Sequence, residues 1–319
     1  YLMRDSAEDA RTWSGIPYYV LTAMRKLEWD VTIVDQLGFP NSLTIKVMNR
    51  IRNLLSLKGR YYSVETAKFY AKKLNTILDS LNEDSYDCIF AVDFVEGIPF
   101  IETKKPIILY ADATKKQLIE MNYPGFNGFT DETKEYLFEV ERLGYERANH
   151  MIVTSNWALE DAINNYGFKK EKGHIFYFGP NMNEVPQREV AENGPWKDKE
   201  TCHLLFMGVH WERKGGQVAV DVCQELNRRG IKAKLTLCGL TPPEGVNLNH
   251  CEVIPFLDKN KSTDLEKIQS IFSRSHYLVL PTRADCTPVV FSEAYSYGLP
   301  VLSTKVGGVS ELVMENKTG

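Results

Sequence analysis

Short runs that are apolar on both faces alternate with amphipathic helical patterns along the whole chain, and this alternation restricts the fold more than any other feature. The first set of such runs lies at 31–34, 88–92, 107–111, 151–154 and 175–178. The second lies at 204–207, 233–238, 252–255, 277–281 and 300–303. Strands buried on both faces and separated by helices belong to parallel sheets of α/β proteins. Two sets imply two doubly wound domains. Between them, residues 179–199 carry Pro180, Pro186, Gly194 and Pro195 among polar side chains, the composition of a linker. The expected organisation is a first domain at 1–180, a linker at 181–200 and a second domain at 201–319.

Length agrees, because 319 residues at ~150 per domain make two. The 38 Lys and Arg against 42 Asp and Glu leave a net charge of −4, which excludes a generally basic nucleic-acid binder. No stretch approaches ~18 consecutive apolar residues, so no membrane span is expected. The cysteines Cys88, Cys202, Cys223, Cys238, Cys251 and Cys286 form no CxxC pair, and most sit in apolar runs, so buried reduced thiols are expected. The histidines His150, His174, His203, His210, His250 and His276 show no HxH or HExxH spacing, and no metal site is expected. No secretory leader pattern is present, which makes the cytoplasm the expected location. The chain opens at Tyr1, inside an apolar segment, and stops at Gly319 just after a strand–loop–helix unit. Both ends therefore read as cut.

Helical periodicity is clearest in two places. Residues 17–28 put Val20, Leu21, Met24 and Leu27 on one stripe, and residues 217–229 do the same with Ala219, Val222, Cys223 and Leu226. A longer helical stretch at 43–81 carries Lys46, Arg50, Arg52, Lys58 and Arg60. It reads as a solvated basic face, or as a contact for an anionic membrane surface or acidic acceptor.

In open parallel sheets, ligands bind beyond the carboxyl ends of the strands. Three strand-to-helix junctions there share one physical signature. The first is Trp13-Ser14-Gly15-Ile16-Pro17, where Gly15 allows close backbone approach and Pro17 suits a first helical turn. The second runs from Gly208 to Gly216 and includes the adjacent cations Arg213 and Lys214. The third is Asp285-Cys286-Thr287-Pro288, with Thr287 expected as N-cap and Pro288 as the first helical residue. Free N–H groups and a helix dipole suit phosphate, and three such junctions point to a diphosphate ligand.

Asp285 and Glu293 flank the third junction, eight residues apart (293 − 285). Carboxylates accept from ligand hydroxyls, as in a sugar or ribose. They could equally be surface acids that stabilise a helix dipole.

Taken together, these segments resemble the retaining glycosyltransferases of family 4, which have the two-domain GT-B fold. TWSGIPYYV resembles the glycine loop of the N-terminal domain. IVTSNWALEDAINNYG resembles that domain's last strand and helix, and IFYFGPNMN the crossing between domains. FMGVHWERKGG is similar to the donor-phosphate loop, and LPTRADCTPVVFSEAYSYGLPVLSTKVGGVSELV to the E-x7-E region with its following glycine loop. The resemblance covers nearly the whole chain, and its last segment is the most specific.

The resemblance implies two Rossmann-like domains facing each other. It also implies transfer of a sugar from a nucleotide-diphosphate donor to a hydroxyl of a glycan, lipid-linked sugar or small glycoside, with retention at the anomeric carbon. No metal or other cofactor is implied, since lysine and helix dipoles offset the leaving charge. Lys214 would pair with the diphosphate, assisted by Arg213. Asp285 stands where the family commonly has Glu and would hold donor-sugar hydroxyls. Glu293 would hold the ribose, and backbone amides around Thr287, Pro288, Val289 and Val290 would touch phosphate or sugar. Gly15 would let its loop approach the diphosphate.

Two positions depart from the family. Many members have arginine directly after the loop glycine, where this chain has Val209. Many place histidine after a strand of the first domain, where PIILYADATKK puts Asp112. Asp112 would orient donor or acceptor, or would be a structural carboxylate capping the turn at Thr114. A GT-B epimerase or phosphorylase, or an idle nucleotide-sugar-binding module, remains an alternative to a transferase. The NYPGFNGF stretch supplies aromatics suited to stacking on sugars.

Overall fold

Parallel pairing runs through both sheets of the computed structural model. It describes residues 1–39, 64–187 and 200–319, with single positions 47, 50, 51, 54, 189, 192 and 194 between them. The basic residues Lys46, Arg52, Lys58 and Arg60 lie outside the described residues. So does part of the expected linker, chiefly 195–199.

The chain divides into two compact units. The first comprises Tyr1–Glu8 and Leu21–Tyr177, and the second Asp9–Val20 and Phe178–Gly319. Residues 9–20, expected with the first domain, thus pack with the second unit. The contacts responsible are specific. Asn181 Nδ2 donates to the Ser14 carbonyl at 2.9 Å, and Trp13 meets Phe178 edge-on at 5.7 Å between centroids. Asn260 Nδ2 donates to Asp9 at 2.9 Å.

In the first unit the strands β1 (Ile89–Val92), β2 (Ile107–Ala111), β3 (His150–Val153) and β4 (Gly173–Ile175) pair in sequence order. Leu2 extends the sheet by bridging Ala91 on one side and Val34 on the other, both in parallel. The strand expected at 31–34 is reduced to that bridge. Backbone bonds still run beside it, Val34 N to Tyr1 O (2.9 Å), Met3 N to Val34 O (3.1 Å) and Leu37 N to Arg4 O (3.0 Å), but the chain bends at Arg4 and no regular ladder forms. The last strand of this sheet begins at Gly173, two residues before the expected 175–178, and its ladder closes with Phe176 N to Val153 O at 2.8 Å. Tyr70, Phe94, Leu109 and Met151 are fully buried around the sheet.

In the second unit β5 (Cys202–Met207), β6 (Ala233–Cys238), β7 (Cys251–Ile254), β8 (Tyr277–Leu280) and β9 (Val301–Ser303) adopt the order β7-β6-β5-β8-β9. The chain winds outward from β5 in one direction, returns, and continues from β8 in the other. The strand order therefore reverses between β5 and β8, which opens a crevice at their carboxyl ends. Phe206, Phe272 and Phe291 fill the core of this unit.

The expected helices form with shifted ends. The first, α1, spans Ile16–Lys26 and stops before 28, where Glu28 takes a φ of +61°. Val64–Leu81 is the described part of the 43–81 stretch. Gly216–Arg228 begins one residue earlier than expected. The helix after β8 spans Val289–Ser296, with Pro288 at the cap position (φ −63°, ψ 114°) and no side-chain cap. The expected N-cap at Thr287 and first helical residue at Pro288 are thus corrected. Proline fixes φ but keeps an extended ψ here, and it pushes the preceding residue out of helical conformation. No disulfide joins the six cysteines; Cys223, Cys238 and Cys286 are buried and the other three half-buried.

Candidate functional site

Gly208 leaves β5, one helical turn covers Trp211–Lys214, and Gly215 then reverses the chain with a φ of +77°. A side chain at Gly215 would place its Cβ 2.2 Å from the Pro281 carbonyl oxygen, so glycine alone lets the loop after β5 approach the loop after β8 this closely. The two loops are tied by backbone: Arg283 N donates to the Arg213 carbonyl at 2.7 Å, and Thr282 Oγ1 donates to the same oxygen at 3.1 Å. Gly215→Ala is expected to destabilise the protein by more than ~1 kcal/mol, since it adds a clash to a disfavoured φ. Urea unfolding checks this, and an unchanged midpoint would contradict it.

This approach brings Lys214, Arg213 and Asp285 together. The Lys214 ammonium bonds directly to the Asp285 carboxylate. Arg213 Nη1 donates to the Ala284 carbonyl at 2.9 Å and lies 3.4 Å from Asp285 Oδ1. Lys214 is only 9% exposed and Asp285 6%. Burial pushes the Lys214 ammonium below its usual range, against the upward pull of Asp285, and Arg213 adds to the push. Burial also lowers His210, helped by the same two cations. The site is a buried cationic pair balanced by one carboxylate, which is poised to accept further negative charge. Val209 is exposed, and Arg213 brings a guanidinium to this loop.

Glu293 lies in the second turn of Val289–Ser296 and is 2% exposed. It is bonded by the Lys259 ammonium. Asp285 and Glu293 are therefore not surface acids, and that reading is corrected: a buried carboxylate persists only when paired. Lys259, Glu293 and Asn181 border a small cavity of about 20 Å3. Nothing in the sequence marked Lys259, because it sits in a polar loop 34 residues before its partner. Val289 and Val290 are buried in the wall, so their side chains serve packing, and Thr287 is buried beside them.

The Gly15 loop belongs to the same unit. Trp13, Ser14 and Gly15 take φ values of +42°, +58° and +86° in succession, an uncommon run outside glycine. A Cβ on Gly15 would come 2.9 Å from the Ala10 carbonyl. On the following helix, the Tyr19 hydroxyl is buried with no hydrogen-bond partner among the described residues. Burial and the neighbouring Glu293 charge push its pKa up to about 12.

Asp112 lies in the first unit, half-buried at the carboxyl end of β2. Together with burial, it raises the Tyr110 phenol. Thr114 caps the helix Lys115–Glu120 with its own hydroxyl, and Gln117 returns the bond to the Thr114 N–H.

Two parallel-sheet units, with paired lysine and carboxylate groups where the second sheet reverses its strand order, place this chain in the GT-B fold class. Solved structures share the fold. The apo lipopolysaccharide outer core galactosyltransferase WaaB matches with a TM-score of 0.54 at 14% identity, over 80% of this chain and 66% of that one. Anabaena Alr3699/HepE in complex with UDP and glucose matches with 0.53 at 17% identity, over 93% and 73%. Residues 201–319 match the family described as glycosyl transferases group 1. The D-inositol 3-phosphate glycosyltransferase of Pseudarthrobacter chlorophenolicus is 30% identical over 181 residues, which cover 54% of this chain and 43% of that protein. The chain spans about half the length of the curated relatives it matches. Among the described residues, no helix is long and apolar enough to cross a membrane.

Proposed function

We propose that the protein is a glycosyltransferase that moves a hexosyl group from a nucleoside-diphosphate sugar to a hydroxyl of a glycan or lipid-linked sugar, with retention of configuration. The observation that carries this reading is the buried Lys214–Asp285 pair, with Arg213 beside it, at the strand-order reversal between β5 and β8. The family match over residues 201–319 and the UDP and glucose bound by a protein of the same fold support it.

In this reading Lys214 and Arg213 hold the diphosphate, and Asp285 holds hydroxyls of the transferred sugar. Glu293 holds the ribose. The Gly15 loop and the Thr287–Val290 backbone approach the ligand. Asp112 orients donor or acceptor. The acceptor oxygen bonds to the anomeric carbon as the bond from that carbon to the diphosphate oxygen breaks. The electron pair leaves with the diphosphate, which also takes the acceptor's proton. Fixed cations meet the charge that develops on the leaving group, so no metal ion is required.

The test is nucleotide release from UDP-, GDP- and ADP-sugars, with and without glycan and lipid-linked acceptors, and the product's anomeric configuration by NMR. Acceptor-dependent release that persists in EDTA, with a retained anomer, is the expected result. Release that depends on inorganic phosphate would mark a phosphorylase, and conversion of the donor without acceptor an epimerase. Binding with no turnover would mark an idle module. Any of the three would overturn the reading.

A further inference from the structure

We infer that Cys223 and Cys251 are a redox-active thiol pair, which closes to a disulfide that staples strand β7 to the helix Gly216–Arg228. The register of the second sheet brings the sulfurs together. Cys202 of β5 lies opposite Ala233 of β6, and Leu235 of β6 lies opposite Cys251 of β7. Partners in a parallel ladder share a face, and so do residues two apart on one strand. Cys202 and Cys251 therefore point to the face that carries Ala233 and Leu235. Those two side chains are buried in one cluster with Cys223, against which Cys202 and Cys251 also pack. Cys223 comes from the helix above and is 0% exposed. Its Sγ lies 3.9 Å from the carbonyl oxygen of His250, the residue before Cys251. It also hydrogen-bonds to the Cys251 sulfur. One turn on, Asn227 Nδ2 donates to the Ala233 carbonyl at 2.9 Å and fixes the helix over β6.

The two thiols differ in the way an attacking and a resolving thiol must. Cys251 is half-buried at the start of β7, whereas Cys223 is sealed in the core. The hydrogen bond from Cys223 lowers the Cys251 thiol against the opposing effect of burial, and the same bond, helped by burial, raises Cys223. An attacking thiol needs thiolate character and access, while a resolving thiol needs only to reach the mixed disulfide. Cys202, the third thiol on this face, is raised by burial with Cys223 adding to the rise, so it is the poorer nucleophile.

The oxidant is a small disulfide of the glutathione class. The Cys251 thiolate attacks one of its sulfurs, a bond to Cys251 Sγ forms, and the first glutathione leaves as a thiolate that takes up the proton Cys251 gave. Cys223 then loses its proton and attacks Cys251 Sγ, which expels the second glutathione to take up that proton. Two cysteine thiols are oxidised and one glutathione disulfide is reduced to two thiols. The product bears on a weak point of the sheet. β7 ends the order β7-β6-β5-β8-β9, is paired in the sheet only with β6 and is partly exposed along its length. Edge strands with exposed backbone bonds open first, and a covalent tie to the helix opposes that opening. The thiols sit at the amino ends of β5 and β7, away from Lys214 and Asp285, so the inference stands apart from the proposed function.

The test incubates the full chain with excess glutathione disulfide, blocks remaining thiols with N-ethylmaleimide and maps unreduced peptides by mass spectrometry. A Cys223–Cys251 linked pair that disappears with dithiothreitol is the expected result. Cys251→Ser is expected to abolish all linkage at Cys223. Cys223→Ser is expected to trap glutathione on Cys251, because the thiol that would expel it is gone; a merely packed pair of thiols would not show this. Amide hydrogen exchange over Cys251–Ile254 is expected to slow in the oxidised protein and to recover on reduction. The inference is overturned if both cysteines stay reduced, if Cys223 links to Cys202 instead, if Cys223→Ser holds no glutathione on Cys251, or if exchange in β7 is the same in both states. Should Cys223→Ser fail to fold, the wild-type linkage map and Cys251→Ser decide.

Discussion

Asp285→Asn is expected to lower kcat about 10²-fold, the scale for losing one stabilising polar contact at a reacting centre. The change keeps the shape of the side chain and removes its charge. It also removes the partner of Lys214, which is nearly buried and bonded to that carboxylate. An unpaired buried charge costs about 3 kcal/mol, so thermal stability should fall with activity. Rates must be measured well below the lowered melting temperature. Glu293→Gln provides the contrast. It sits on the helix, paired with Lys259, and should chiefly weaken donor binding and raise KM. Steady-state kinetics on both variants check the division of roles, and wild-type kcat in Asp285→Asn would remove Asp285 from the reaction. A sugar adduct on either carboxylate, found by mass spectrometry, would overturn the single-step transfer proposed above.

Lys214→Ala is expected to weaken nucleoside-diphosphate binding by roughly 1.5–3 kcal/mol, the value of a charge-assisted hydrogen bond. That is about a 10- to 150-fold rise in Kd. The ammonium is pre-placed by the Gly215 reversal and held by Asp285, so little ordering remains to be done when a ligand arrives. Calorimetry with UDP, GDP and ADP reads the effect directly. The pairing makes a further demand. Lys214→Ala combined with Asp285→Asn should be more stable than Asp285→Asn alone, because the uncompensated ammonium is gone. Unchanged nucleotide affinity in a folded Lys214→Ala protein would show that this lysine is structural.

Much of the fold was legible because parallel strands buried on both faces leave an unmistakable pattern. Eight of the nine strands among the described residues lie within two residues of the expected runs at both ends or differ only by a shorter span. The poorer matches are local. Residues 31–34 are apolar enough for a strand, but the segment beside them bends at Arg4, and the pairing there is a single regular bridge at Leu2 and Val34. Thr287 and Pro288 have the right residue types for a helix start, but backbone torsion decides the start, and ψ at Pro288 is extended.

The site divides in the same way. Lys214, Arg213, Asp285, Glu293 and Gly15 could be marked from the sequence because each sits in a short junction of unusual residue types. Their partners could not. Lys259 and Glu293 are 34 residues apart, and Lys214 and Asp285 are 71 apart. The Cys223 and Cys251 thiols meet between a helix and a strand and follow no motif. What the sequence by itself determined is the local part: two sets of parallel strands, the helices between them, and the glycines and charges at their carboxyl ends. Those depend on side-chain period and backbone torsion within a few residues. Only the tertiary structure decided which charge neutralises which and which carboxylates are buried. It also decided that residues 9–20 pack with the second unit. Burial and pairing arise when strands distant in sequence become neighbours in a sheet, and no short stretch of chain encodes that neighbour.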